Sequence, residues 1–159
     1  MLSTDETIVN ILLDAKTKEA NPLLQYFKIG YASNQIAEES NSIFVASVDS
    51  QSNEIGFDYQ TFTDRVEILI VTKNREYQKA INVIKTVSRE IIRLILEKKH
   101  LFDNKPVIER ITPEYNRDYV LTRGHIMVQV RTTPDSFDSN DEVYNVCKIL
   151  TEEMDVEIQ

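Results

Sequence analysis

The chain holds few residues whose chemistry could support catalysis or metal binding. His100 and His125 are its two histidines, and Cys147 is its one cysteine. His100 ends a predicted helix and His125 lies inside a predicted strand, without another His or Cys at the spacing of a zinc site. Asp64 and Glu67 could belong to a metal-dependent nuclease, but residues three apart on a strand point to opposite faces. We therefore predict no catalytic residue, no metal ligand and no cofactor-binding residue.

The glycines give no sign of a nucleotide site. Gly30, Gly56 and Gly124 are far apart, so the chain has no G-x-G-x-x-G motif and no phosphate-binding loop. This distribution counts against a nucleotide-dependent enzyme.

A basic stripe and an acidic segment are the clearest charge features. Lys85, Arg89 and Arg93 recur every four residues, and residues 73–110 hold ten basic and five acidic groups. Residues 135–159 hold eight acidic groups and one lysine, which gives a net charge of −7. The stripe could be a solvated helix face or could bind nucleic acid phosphates, although no aromatic residues lie between its cations to stack bases.

The opposite charges also favour head-to-tail association of copies of the chain, with the basic helix of one copy against the acidic segment of the next. The apolar stripe of the same helix widens near its end, where Ile92 and Leu96 join it. The predicted subunit-interface residues are Lys85, Arg89, Arg93, Ile92, Leu96, Asp141 and Glu142.

The first half of the chain is predicted to form one helix and a hairpin. Residues 3–6 have the spacing of a capping box and begin a helix that ends near Ala20. Residues 28–42 are predicted to be a surface loop. Residues 43–48 and 55–72 are predicted to pair as a hairpin with a long second arm. The apolar centre of that arm predicts a strand covered on both faces.

The second half supplies the long helix over residues 75–99, with Asn74 as its cap. Strands follow over residues 107–111 and 119–131, and in the second strand His125, Met127, Gln129 and Arg131 share one face. A last amphipathic helix begins near Ser139 and places Cys147 on its packed face. The order α-β-β-α-β-β-α predicts an α+β fold: a mostly antiparallel sheet with a long central helix, an N-terminal helix and a C-terminal helix packed on it.

The length and composition fit one domain over residues 1–159, with residues 135–159 as an acidic C-terminal segment that is partly flexible. No apolar run reaches the roughly 20 residues that cross a bilayer, and the first residues do not resemble a signal peptide. A single cysteine favours folding in a reducing cytosol.

In its arrangement the chain resembles the tail terminator, or tail completion, proteins of long-tailed bacteriophages, the ring-forming lambda and T5 type. The resemblance covers residues 5–131. It lies in an N-terminal helix, a hairpin leading to the apolar strand Arg65–Lys73, the helix Arg75–Lys99, a further strand, and a last strand with Gly124 before Val128-Gln-Val-Arg131. The acidic helix after Arg131 departs from this pattern.

The resemblance implies a structural virion protein without enzymatic activity. It would form a hexameric ring at the head-proximal end of the tail, after assembly in the host cytoplasm. Its partners would be further copies of itself, the tail-tube protein and a neck or head-completion protein. DNA would pass through the lumen without specific binding, and we expect the polar edge of the sheet, Glu152 and Glu153 to face that lumen.

Two other functions are compatible with the sequence. One is a related phage neck or head-completion connector, which has the same class of role with different neighbours. The other is a cytosolic α+β ligand-binding domain or enzyme, which needs a pocket with converging polar groups. The nearest candidates for such a set are Arg110, Arg123, Arg131 and Tyr119.

Overall fold

The computed structural model describes residues 2–32, 41–54, 60–116, 121–132 and 144–152. The helices and strands in chain order are α1 (Thr4–Thr17), β1 (Lys28–Tyr31), β2 (Ser42–Glu54), β3 (Gln60–Lys73), α2 (Tyr77–Glu97), β4 (Val107–Asn116), β5 (Leu121–Thr132) and α3 (residues 144–152). Short 3-10 turns follow α1 at Leu24–Tyr26 and α2 at Lys99–Leu101.

The five strands form one sheet in the order β1-β2-β3-β5-β4. β1 pairs with β2 in parallel, and the other three pairings are antiparallel. β3 lies at the centre of the sheet between β2 and β5, so its residues contact both neighbouring strands. This arrangement confirms the predicted α+β fold with a mostly antiparallel sheet.

The core lies between one face of the sheet and the two long helices. Apolar residues alternate along the three central strands and are buried together with α1 and α2: Ile43, Val45, Val66, Ile68, Ile70, Ile126, Val128 and Val130. α1 and α2 therefore cover the same face. β3 was predicted to be covered on both faces; on its other face Val71 is buried and Leu69 is half-buried.

The start of α1 follows the predicted capping box, since the backbone N–H of Ser3 donates to Glu6 Oε2 at 3.3 Å. α1 ends at Thr17, three residues before the predicted end. Ala20 then adopts a left-handed conformation with φ 49°, which the continuing helix could not accommodate. The chain turns there toward β1.

The start of α2 lies two residues after the predicted one. Asn74 Oδ1 accepts a hydrogen bond from the backbone N–H of Glu76 at 2.9 Å, so Asn74 closes a turn instead of capping the helix. Glu76 is the extended N-cap residue. Asn74 was predicted to cap the helix. Its hydrogen bond instead closes a turn before the helix, so α2 begins at Tyr77.

Gly124 allows α2 to lie close to the sheet. A Cβ atom at this position would stand 2.5 Å from Cγ2 of Ile84, a fully buried residue of α2. No other residue type fits at that separation without movement of the helix or the strand. The glycine that forms part of the family resemblance is therefore a helix-packing position in this chain.

β1 and α3 differ most from the prediction, while β2 and β4 extend beyond their predicted ends, to Glu54 and Asn116. β1 forms within residues 28–42, which were predicted to be a loop, because its four residues pair with the start of β2. α3 was predicted to pack on the sheet, but each of its nine residues is exposed. Cys147 is exposed as well. No helix in the described ranges is long and apolar enough to cross a membrane.

Candidate functional site

The face of the sheet opposite α1 and α2 carries a histidine between two carboxylates. His125 Nδ1 lies 2.6 Å from Oε1 of Glu67 on β3, and His125 Nε2 lies 3.3 Å from Oε2 of Glu114 on β4. Both ring nitrogens therefore face side-chain partners. Leu69 and Met127 are neighbouring residues on this face. The arrangement ties three strands together and leaves neither nitrogen free to bind a metal.

The described ranges hold no group of three or more His, Cys, Asp or Glu residues that could bind a metal ion. His100 lies in the exposed turn after α2. Asp64 accepts hydrogen bonds from Ser50 at 2.6 Å and from Thr4 at 3.3 Å, so its carboxylate connects β3 to β2 and α1.

A second polar network crosses four strands on the same face. The Arg65 guanidinium donates to Asp49 at 3.0 Å and to Glu109 at 3.3 Å, and Gln129 donates to Glu109 at 3.1 Å. The hydrogen bond from Gln129, followed by that from Arg65, holds the pKa of Glu109 below its ordinary value of 4.5. The network fixes polar side chains across the open face.

Arg93 of the predicted basic stripe belongs to another network. Its guanidinium pairs with Glu90 and Glu97 on the same helix. Glu90 also accepts a hydrogen bond from Asn21 at 2.9 Å, which links α2 to the segment after α1. The hydrogen bond from Arg93 lowers the pKa of Glu90. Arg93 therefore has intrachain partners, and its place in a subunit interface stays a prediction.

The two lowered pKa values predict acid sensitivity. A carboxylate with a lowered folded-state pKa adds stability above its unfolded pKa, and this contribution is lost as the pH falls through the folded value. We expect the double variant Glu90→Gln/Glu109→Gln to lose less stability than the wild type between about pH 5 and about pH 3. Urea unfolding midpoints across this range measure the difference. Glu152→Gln on exposed α3 is the control, and equal slopes for all three proteins would contradict the prediction.

Lys85 and Arg89 differ from Arg93, because neither has a carboxylate partner among the described residues. Both are exposed on α2. The two lie on the side of α2 that carries Ile92 and Leu96, since positions 85, 89, 92 and 96 share one helical face. Ile92 packs at the margin of the core, and Leu96 is 37% exposed.

β4 extends this apolar margin. α2 packs against β4, and the rings of Tyr77 and Tyr115 meet edge to face with centroids 5.0 Å apart. β4 therefore runs back along α2 from its end toward its start. Its helix-side residues include half-buried Ile108 and Ile111, which is 41% exposed. We define the α2–β4 patch as Lys85, Arg89, Ile92, Leu96, Ile108 and Ile111.

The remaining predicted site residues lie in or near α3. Glu152 is exposed at the end of the described part of this helix. Asp141, Glu142 and Glu153 lie outside the described residues, so their assignment to the interface or the lumen stays a prediction. Sequence reasoning gave the α2 half of the α2–β4 patch but missed Ile108 and Ile111. The apolar residues of β4 were the sequence signal that could have identified this half of the patch.

The arginines predicted as candidates for a ligand site do not lie together on the sheet. Arg123 and Arg131 are eight residues apart on β5, which separates them by about 27 Å. Tyr119 lies outside the described residues. A cleft of about 420 Å³ between α2 and the segment after α1 is lined by apolar, amide and hydroxyl side chains, and Lys73 is its one charged lining residue in the described ranges.

Comparisons with known proteins bear on the fold. No protein-family model and no curated protein sequence matches the chain. A chain in the structure of the virion of a native gene transfer agent particle has a similar fold, with a TM-score of 0.56 and 11% sequence identity. The match covers 79% of this chain and 91% of that chain. At this identity the similarity establishes a shared fold.

Proposed function

We propose that the chain is a structural virion protein without enzymatic activity, and that it acts as a tail terminator at the head-proximal end of a long phage tail. The observation that carries this proposal is the fold shared with a chain of the gene transfer agent virion, which extends over 91% of that chain. The arrangement of helices and strands also resembles the terminator family over residues 5–131. The proposed role is to stop polymerisation of the tail tube and to provide the surface that joins the head.

Six copies form a closed ring in this proposal, through repeated head-to-tail contacts. The exposed cations Lys85 and Arg89 and the acidic segment that includes Asp141 and Glu142 supply complementary surfaces. The outer edge of β4 is poorly suited to continue the sheet into a neighbour. Pro113 lacks a backbone N–H, and the register shifts between Ile108 and Arg110. At this edge, subunits therefore meet mainly through side chains.

The lumen of the proposed ring is acidic. The chain has a net charge of −8. Basic surfaces gain affinity for DNA by releasing counterions, and an acidic wall lacks this gain. Glu152, Glu153 and the polar edge of the sheet are the proposed lumen residues, so DNA slides past without specific binding. A ring structure with these groups on its outer wall would contradict this placement.

The oligomeric state and a tube-capping assay test the function. Light scattering of the purified chain, with negative-stain images of the same sample, is expected to show six-fold rings. Addition of the chain to polymerising tail-tube protein of the same virus is expected to shorten the tubes and place a ring at one end. Rings that leave tube length unchanged would contradict the terminator role. A monomer that also fails to bind tube ends would contradict the structural role itself.

A charge reversal tests the contact between subunits. Arg89→Glu places a negative charge on the α2–β4 patch and is expected to weaken association about tenfold at low salt. Glu142→Arg in the same chain is expected to restore part of the loss. Sedimentation at two salt concentrations measures both effects. Lys28→Glu, at an exposed lysine of β1 without a carboxylate partner among the described residues, is the matched control. Unchanged assembly and salt dependence in Arg89→Glu would show that the basic face is only solvated.

A further inference from the structure

α3 presents an apolar face that nothing in the described structure covers. Val146, Cys147, Ile149 and Leu150 fall on one side of the helix, while Asn145, Lys148 and Glu152 fall on the other. Ile149 and Leu150 are each more than half exposed. Helices with one apolar and one polar side normally bury the apolar side against another surface.

The α2–β4 patch has complementary properties. Its centre is apolar and partly exposed at Ile92, Leu96 and Ile111. Lys85 and Arg89 border it, and neither has a carboxylate partner in the described ranges. α3 lies within the segment of residues 135–159, whose net charge is −7. The apolar face of α3 thus matches the apolar centre of the α2–β4 patch. The acidic segment that contains α3 matches the cations that border the patch.

The cleft on the opposite side of α2 matches less well. Its margin holds the single charge of Lys73, and the nearby cation Arg93 already pairs with Glu90 and Glu97. The α2–β4 patch combines partly exposed isoleucine and leucine side chains with two cations that lack carboxylate partners in the described ranges.

We propose that α3 of one copy docks its apolar face on the α2–β4 patch of the neighbouring copy, so that each subunit holds the next through an exchanged C-terminal helix. This inference rests on the proposed function for the presence of a neighbour. Eleven residues connect β5 to α3, and an extended chain of that length spans at most about 40 Å, so α3 can reach beyond its own patch. The occupant of the patch is a second copy of this chain.

Cross-linking through the native Cys147 tests the proposal. One preparation keeps Cys147, and a second, larger tagged preparation carries Cys147→Ser with Leu96→Cys. The two full-length proteins are mixed and treated with a short bis-maleimide. We expect a covalent heterodimer at least tenfold above the control, in which Leu13→Cys replaces Leu96→Cys. Leu13 is a leucine of α1 with 36% exposure, so it matches Leu96 in type and accessibility.

The cross-linking experiment has three distinguishable outcomes. A heterodimer that forms with Leu96→Cys, and not with Leu13→Cys, supports the exchange of α3 between copies. A cross-link within one chain of a Cys147/Leu96→Cys variant, without heterodimer, shows that α3 covers its own patch and overturns the proposal. A yield equal to that of the control overturns it as well. Leu150→Asp in the Cys147 preparation is expected to abolish the specific heterodimer.

The same samples test the exchanged helix and the tail-terminator role independently. Six-fold rings that cap tail tubes without the specific cross-link would leave the tail-terminator role intact and reject the exchanged helix. A specific heterodimer in a protein that neither forms rings nor shortens tubes would retain the exchanged helix and reject the terminator role. Both measurements use residues 1–159.

Discussion

Replacing Gly124 by alanine is expected to lower the free energy of unfolding by about 1–3 kcal/mol, the range found for overpacked cores. The added Cβ would stand 2.5 Å from Cγ2 of Ile84, and Ile84 is fully buried, so α2 or β5 must shift. Urea unfolding followed by circular dichroism measures the change. Gly30→Ala is the matched control, because apart from its chain neighbours no described residue has an atom within 4 Å of its added Cβ.

A double-mutant cycle identifies the cause of that loss. Ile84→Ala alone is expected to cost about 2–5 kcal/mol through the cavity it leaves. It also removes the Cγ2 atom that meets the new Cβ. The double variant Gly124→Ala/Ile84→Ala is therefore expected to be more stable than the sum of the single effects predicts, by roughly 0.5–3 kcal/mol. Additive effects would show that Gly124 is not needed for the close approach of α2.

Ile126→Ala is the second substitution expected to have a large effect, a loss of about 2–5 kcal/mol in the free energy of unfolding. Ile126 is fully buried, and it stands beside Ile68 of β3 in the centre of the core. Truncation at this position leaves a cavity that two strands and a helix cannot close without moving.

Its cross-strand neighbour is a matched control for this effect. Ile111 pairs with Ile126 in the register of β4 and β5 but is 41% exposed. Ile111→Ala is expected to change monomer stability by less than about 1 kcal/mol and, because Ile111 lies in the α2–β4 patch, to weaken subunit association. Urea unfolding and light scattering measure the two properties separately. Equal stability losses at positions 111 and 126 would contradict the placement of Ile111 at the exposed margin of the core.

Local patterns predicted much of the fold. The capping box at the start of α1, the apolar stripe of α2 and the alternation in β5 each depend on residues a few positions apart, and each describes an element that the structure contains. Such patterns report which side of an element is apolar. The α+β arrangement followed from their order along the chain.

Local patterns could not predict three features: the presence of β1, the face of β3 that the helices cover, and the surface that covers α3. The four residues of β1 have too short a pattern to predict a strand, and they form one because β2 offers an edge for parallel pairing. Leu69 and Ile68 are both apolar, so composition could not show that the helices cover the side of Ile68. The amphipathic pattern of α3 indicated an apolar face without indicating which surface covers it.

The charge distribution, the amphipathic faces of the helices and the α2 half of the α2–β4 patch follow from the sequence alone. Tertiary contacts place the strand that completes that patch, and they bring carboxylates to Arg65 and His125. Those partners are distant along the chain, as His125 and Glu67 show, and they meet through the register of β3, β4 and β5. Register depends on side-chain packing across the whole sheet, because a shift of one residue moves every side chain to the opposite face.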